Sequence, residues 1–249
     1  MAKSSKSAKS ERQALIDNAM KKQRSADKHR SNVIVGVCVL IALGLIGAAS
    51  YQPIKSYFDE REFSGLEVSE VGAPASVCQD VTTKDATDVS NHVPQGTEVS
   101  YEDAPPAFGP HWNVAGVAPA PFTEKYYTAD DRPPLEALVH NLEHGYTILW
   151  YDETIAADAG QISQIRSIAK KFDLDDTNFR LKFIAVPWLS EDEGESPFPE
   201  GQHVAFTHWK GDETTSTGVF QYCSETSGAA LETFMADYPY TDAPESGAL

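Results

Sequence analysis

The sequence predicts an α/β fold, with α+β as the alternative: a β-α-β-β-α core preceded by a single membrane-spanning helix. Three observations predict it. A charge-free apolar run, Val33–Ala49, separates a basic N-terminal tail from an acidic remainder. Short β-branched and aromatic runs alternate with helix-period segments between residues 135 and 238. Before them, residues 91–134 are crowded with proline and glycine, through which no helix can run. Phe, Trp and Tyr are interleaved there, so the stretch reads as ordered, Pro-rich loop and short strand.

The chain has 249 residues, with 20 Lys+Arg against 37 Asp+Glu and a formal charge of −17. Its 41% hydrophobic and 23% charged residues are globular values and exclude wholesale disorder. The charge is split. Residues 1–32 hold nine Lys/Arg and three Asp/Glu, a net of +6, whereas residues 50–249 hold 11 and 34, a net of −23. An acidic domain is a poor nucleic-acid binder, because phosphate binding needs clustered cations. It favours cations, basic protein surfaces or metal ions instead.

Val33–Ala49 is 17 residues long and would span about 25 Å as a helix, near the lower limit for a bilayer core of about 30 Å. Ser31, Asn32, Ser50 and Tyr51 extend it into the interface. Lys21, Lys22, Arg24, Lys28 and Arg30 lie upstream, which places the N-terminus in the cytoplasm and the remainder outside the cell membrane, in single-pass topology. A cleaved signal peptide ending near Ala48-Ala49-Ser50 is the rival, but 32 residues before the apolar run are long for one. The expected division is a largely disordered basic tail (1–32), a transmembrane helix (33–51), a stalk (52–76) and an acidic extracytoplasmic domain (77–249). The tail has too few large apolar side chains to order itself, and anionic lipid is its expected partner, at about 1 kcal/mol per nearby cation. Of three cysteines, Cys38 lies in the apolar run; Cys78 and Cys223 both fall outside, where a disulfide between them is expected, the alternative being two soft metal ligands, which the lack of a C-x-x-C spacing disfavours.

Within the outer domain, Pro133-Pro134 followed by LEALVHNLEHG reads as a helix that starts on proline and stops at Gly145. Tyr146–Tyr151 reads as a buried strand and Thr154–Phe172 as a helix. Asn178–Trp188 is a strand ended by Pro187; with its predecessors it forms a βαβ unit with a parallel pair. His203–Trp209 is a further strand and Gly228–Tyr238 a final amphipathic helix. This order is analogous to the second half of a thioredoxin-like sheet, without a C-x-x-C redox pair. The acidic stretch 190–201 reads as a solvated turn.

The sharpest local feature is His140-Asn-Leu-Glu143-His144. In a helix, positions 140, 143 and 144 share one face, and two imidazoles at i and i+4 beside a carboxylate can hold a metal ion. His111 and His92, in the Pro-rich region, can fold over that helix and join it. The candidate metal ligands are therefore His111, His140, His144, Glu143 and His92. Neutral imidazole suits zinc or copper, and only three methionines and no clustered thiolates argue against a copper(I) carrier. The alternative is structural: histidines bonded to backbone carbonyls that simply pin the loop. H-x-x-E-H also spells the inverted zinc-protease motif, in which Glu143 would be a general base.

These residues resemble a known group. Tyr101, Pro105, Pro106, Gly109 and His111, then His140, Leu142, Glu143, His144 and Gly145, then Ala243, Pro244 and Glu245 match the paired motifs of the bacterial family called domain of unknown function 3105. Asn91-His92-Val93-Pro94 fits the family's opening, and Ala107-Phe108 stands where the family usually has Thr-Ser. The resemblance covers residues 90–245. It implies domain limits and site residues but no activity. The anchored, acidic form with a basic tail resembles an actinobacterial envelope protein.

Three functions are expected in order. The first is a non-enzymatic accessory subunit docked on a membrane-protein complex, such as a respiratory assembly, with Trp112, Trp188 and Trp209 as surface aromatics. The second is an outer-face zinc or copper binder. The third is a metal-dependent hydrolase using Glu143. The absence of a nucleophile–base pair leans the expectation away from an enzyme.

Overall fold

The computed structural model describes residues 20–24, 28, 30–47, 63–87, 91–173, 181–192, 198–212 and 215–248. Most of the basic tail, residues 48–51 of the expected membrane helix, residues 52–62 of the expected stalk, residues 178–180 of the expected strand and residues 193–197 of the acidic turn lie outside them. The chain divides into two compact units, 1–57 and 58–249. In the first, helix α1 (Arg30–Gly47) has a mean hydropathy of 2.0 and is long and apolar enough to cross a membrane.

The second unit is a mixed α/β structure. Its strands are β1 (Thr82–Asp85), β2 (His92–Val93), β3 (His111–Trp112), β4 (Thr147–Tyr151), β5 (Phe183–Pro187), β6 (Val204–Gly211) and β7 (Ser216–Cys223). Its helices are α2 (Leu135–Glu143), α3 (Glu153–Ala157), α4 (Ala159–Phe172) and α5 (Gly228–Asp237). Five strands form one sheet in the order β1-β7-β6-β4-β5. The β4–β5 pair is parallel, with Thr147 opposite Phe183; the β4–β6, β6–β7 and β1–β7 pairs are antiparallel.

Side chains alternate across each strand. Leu149, Tyr151, Phe183, Ala185, Val204 and Phe206 pack with Ile165 and Ile168 of α4 and Leu231 and Phe234 of α5. Ile148, Trp150, Ile184, Val186, Ala205 and Trp209 pack on the other face with Leu138, Val139 and Leu142 of α2. Covered on both faces, β4 and the edge strand β5 are buried at every position, which is why their runs ILWY and FIAVP are apolar.

Several expectations change. The segment 154–172 is two helices, because the Asp158 carboxylate caps Gly160 and Gln161 and restarts the chain there. The strand expected over 178–188 is confined to Phe183–Pro187. Strand β7 was not expected; Gly218 interrupts its pattern because the Phe108 ring occupies the space, 2.2 Å from where a Cβ would stand. Phe108 also packs against Trp209 and Phe220, which gives the departure from Thr-Ser a packing role. The packed unit begins ahead of Ser76: Phe63, Leu66 and Val68 join the core and Val71 is fully buried within it. Trp188 and Trp209 are buried core side chains, not surface aromatics; only Trp112 is part-exposed. In the acidic turn, Asp192 is not solvated but forms a two-pronged ion pair with Arg132, at 2.5 and 2.9 Å.

Cys78 and Cys223 are disulfide-bonded, closing a separation of 145 residues. The bridge fastens residues before β1 to the end of β7, beside the Gln79 N–H to Tyr222 carbonyl bond (2.8 Å) and the Ser224 N–H to Val77 carbonyl bond (3.1 Å).

Candidate metal centre

Helix α2 presents the site. Pro134 precedes it, and the Glu136 carboxylate accepts the Val99 N–H at 2.9 Å, tying the first turn to the loop above. Asn141, fully buried, accepts the Ala120 N–H at 2.9 Å and donates to the Ala120 carbonyl at 3.0 Å. The Pro-rich chain is thereby held across the helix. The helix stops at Gly145, whose φ is +94° and whose missing side chain admits the Tyr240 carbonyl.

The two-stranded parallel ladder β2–β3 supplies the opposing wall. Its register sets His92 directly beside His111. Gly109, at φ +138°, shapes the approach: Tyr101 packs against it and donates its hydroxyl to the Pro110 carbonyl at 2.7 Å. That turn brings the Gly109 carbonyl to His111 Nδ1 at 2.9 Å. The spaced Tyr, Gly and His of the loop motif thus serve one imidazole orientation.

The four side chains His92, His111, His140 and Glu143 place one ligand atom each within 4.8 Å of the others. The Glu143 carboxylate is 2.8 Å from His111 Nε2 and 3.5 Å from His92 Nε2. His140 Nδ1 meets the Trp112 carbonyl at 2.6 Å. His111 and Glu143 are buried, while the His92 side chain is 42% exposed and forms the solvent edge. The fifth candidate, His144, falls into a different group with His140 and Glu245; its Nε2 is 3.4 Å from the Glu245 carboxylate. His111 and His144 do not share a group, so the five expected ligands do not converge on one point. Glu245 was not singled out as a ligand. Its one signal was its place in the Ala-Pro-Glu that closes the resemblance. The other outer histidines are occupied elsewhere: His203 pairs with Asp152 at 2.7 Å, and His208 with Asp242 at 2.8 Å.

The electrostatics follow from burial. Burial, then the neighbouring His144 and His111, push the His140 imidazole down to about 4. Burial alone would raise the Glu143 carboxyl, but the hydrogen bond with His111 and electrostatic attraction to the His111, His140 and His92 rings hold it below the ordinary carboxylate value. His140 is therefore neutral at pH 7 with a lone pair to give. Between its ordinary value of 6.5 and about 4, the unfolded chain takes up a proton that the folded chain refuses. The stability of metal-free protein should accordingly be full above pH 6.5 and fall as the pH is lowered through that window. The His140 ring resonance in a ¹H–¹⁵N or ¹H–¹³C titration should move only near pH 4; a midpoint near 6.5 would refute the assignment.

Arrangement and donor set fit a divalent cation. A carbonyl facing Nδ1 fixes the proton there and turns the lone pair to Nε2, the pattern by which ligating histidines are oriented. Fold and cluster together define an α/β protein with a His/Glu centre clamped between one helix and a Pro-rich strand pair. The chain belongs to the family described as "protein of unknown function (DUF3105)", whose family model matches residues 92–249. No curated protein and no solved structure matches it.

Proposed function

We propose that this is a membrane-anchored extracytoplasmic metal-binding protein, with His92, His111, His140 and Glu143 holding one Zn²⁺ or Cu²⁺ ion. One observation carries the reading. His111 has an acceptor at both ring nitrogens, the Gly109 carbonyl at Nδ1 and the Glu143 carboxylate at Nε2. A neutral imidazole has one proton, so one further positive species, a proton carried by either partner or a metal ion, must lie between Nε2 and the carboxylate. A proton serves in the metal-free protein, and a metal ion replaces it when bound. His92 and His140 add imidazoles around the same carboxylate, giving an N₃O set that suits zinc or copper(II). Both outer cysteines are in the disulfide, which leaves the set free of thiolate.

Glu143 is engaged by His111 and acts here as a ligand, so the hydrolase reading is the weaker one. The accessory-subunit reading loses Trp188 and Trp209 to the core, although Trp112 remains at the site's edge. Anchoring rests on α1, with its cationic flank facing the cytoplasm. The order β7-β6-β4-β5 with α5 supports a thioredoxin-like core serving as scaffold, without redox cysteines.

Metal analysis of untagged full-length protein should find about one equivalent of zinc or copper. The double variant His111→Ala plus His140→Ala should hold none; full retention would overturn the assignment.

A further inference from the structure

The second side-chain group, at the C-terminal end of α2, belongs to a segment that nothing in the metal reading requires. Residues 240–248 cross that end, and their placement is built. The Glu245 N–H donates to the Glu143 carbonyl at 2.9 Å. Buried Lys182 donates to the carbonyls of His144 (2.6 Å), Ser246 (3.0 Å) and Ala248 (2.7 Å), fastening the segment to the helix end. Asp242 accepts from His208 at 2.8 Å. The Glu245 carboxylate is thus delivered to His144, and both lie within ligand distance of His140.

We infer that His144 and Glu245 form an outer position for a divalent borderline cation, zinc(II) or copper(II), through which the inner position is loaded and emptied. This rests on the metal reading above. His140 belongs to both groups, and its Nδ1 is taken by the Trp112 carbonyl. It therefore has one lone pair, on Nε2, to give to one ion at a time. Occupancy of the two positions through His140 is exclusive. Moving inward, the ion exchanges Glu245 and His144 for Glu143, His111 and His92, without change of oxidation state. One carboxylate is present at each end, so the cation keeps an anionic ligand throughout. Exposure is graded accordingly, with the Glu245 side chain 39% exposed, His144 8% and His111 buried. The competing route passes the exposed His92 edge.

The test uses full-length protein in detergent, zinc as the probe, and transfer to a chromogenic chelator. Wild type should hold one zinc. The isosteric Glu245→Gln variant should still hold one, with affinity within about threefold, but load and release it at least tenfold more slowly; Glu245→Asp should recover much of the rate. An unchanged rate in Glu245→Gln with one zinc retained overturns the proposal and assigns entry to His92. Two equivalents in wild type, falling to one in Glu245→Gln, overturn the shared-ligand arrangement. No zinc bound by wild type overturns the metal reading itself, and the outer position with it.

Discussion

Full-length protein in which Cys78 and Cys223 are both serine should unfold with a free energy about 5 kcal/mol below wild type. The bridge closes a separation of 145 residues, and its effect lies chiefly in the unfolded chain, whose freedom rises once the loop opens. Cys223 is fully buried and serine is nearly isosteric with it, so lost packing adds little. Replacing both cysteines avoids leaving an unpaired thiol at the site of the bridge. Domains commonly have only about 5–15 kcal/mol in total, so the loss is a large fraction. Urea denaturation of the oxidised wild type and the variant reads it directly; midpoints that differ by the equivalent of less than 1 kcal/mol would refute the constraint. The first region to loosen should be residues 77–85, since the bridge, the Ser224–Val77 bond and the β1–β7 ladder are what hold them.

Strands β4 and β5 were legible because their surroundings act on every residue: Ile148–Tyr151 and Phe183–Val186 are buried on both faces and so are apolar without interruption. Strand β7 was not, because Gly218 answers to Phe108, a residue far away in sequence, and Gln221 and Tyr222 are part-exposed. Edge strand β1, Thr82–Asp85, is exposed at every position and has no burial pattern to read. The break at Asp158 was readable in principle, as a capping aspartate ahead of Gly160 and Gln161, but a continuous apolar stripe of isoleucines masks it.

At the site, helical spacing placed His140, Glu143 and His144 on one face, and the paired motifs brought His111 and His92 to it. Spacing does not show which neighbour each ring meets. The division between His111 and His144 depends on the β2–β3 register and on Glu245 arriving from the end of the chain, both tertiary facts. The tryptophans show the same limit: composition marks Trp188 and Trp209 as large aromatics, and only the sheet determines that they face inward.

The double variant His111→Leu plus Glu143→Leu separates a metal centre from a buried structural pair. Removing one partner of a buried ion pair costs about 3–5 kcal/mol, because the other is left uncompensated, whereas replacing both with apolar groups of similar size is often close to neutral. In metal-free protein, Glu143→Leu alone should therefore be destabilised by at most about 3–5 kcal/mol, since the stranded His111 imidazole can shed its proton. The double variant should recover most of that, less about 1–3 kcal/mol for the Gly109 carbonyl left without the His111 ring. Adding zinc then divides the two roles. Wild type at a free concentration of about 1,000 Kd should gain about 4 kcal/mol. The double variant should gain far less, since one of its ring ligands and its only inner carboxylate are gone and just the outer group of His140, His144 and Glu245 remains. A zinc response in the double variant equal to that of wild type would move the ion elsewhere; no response in either would leave His111 and Glu143 as a structural ion pair bridging α2 and the Pro-rich loop.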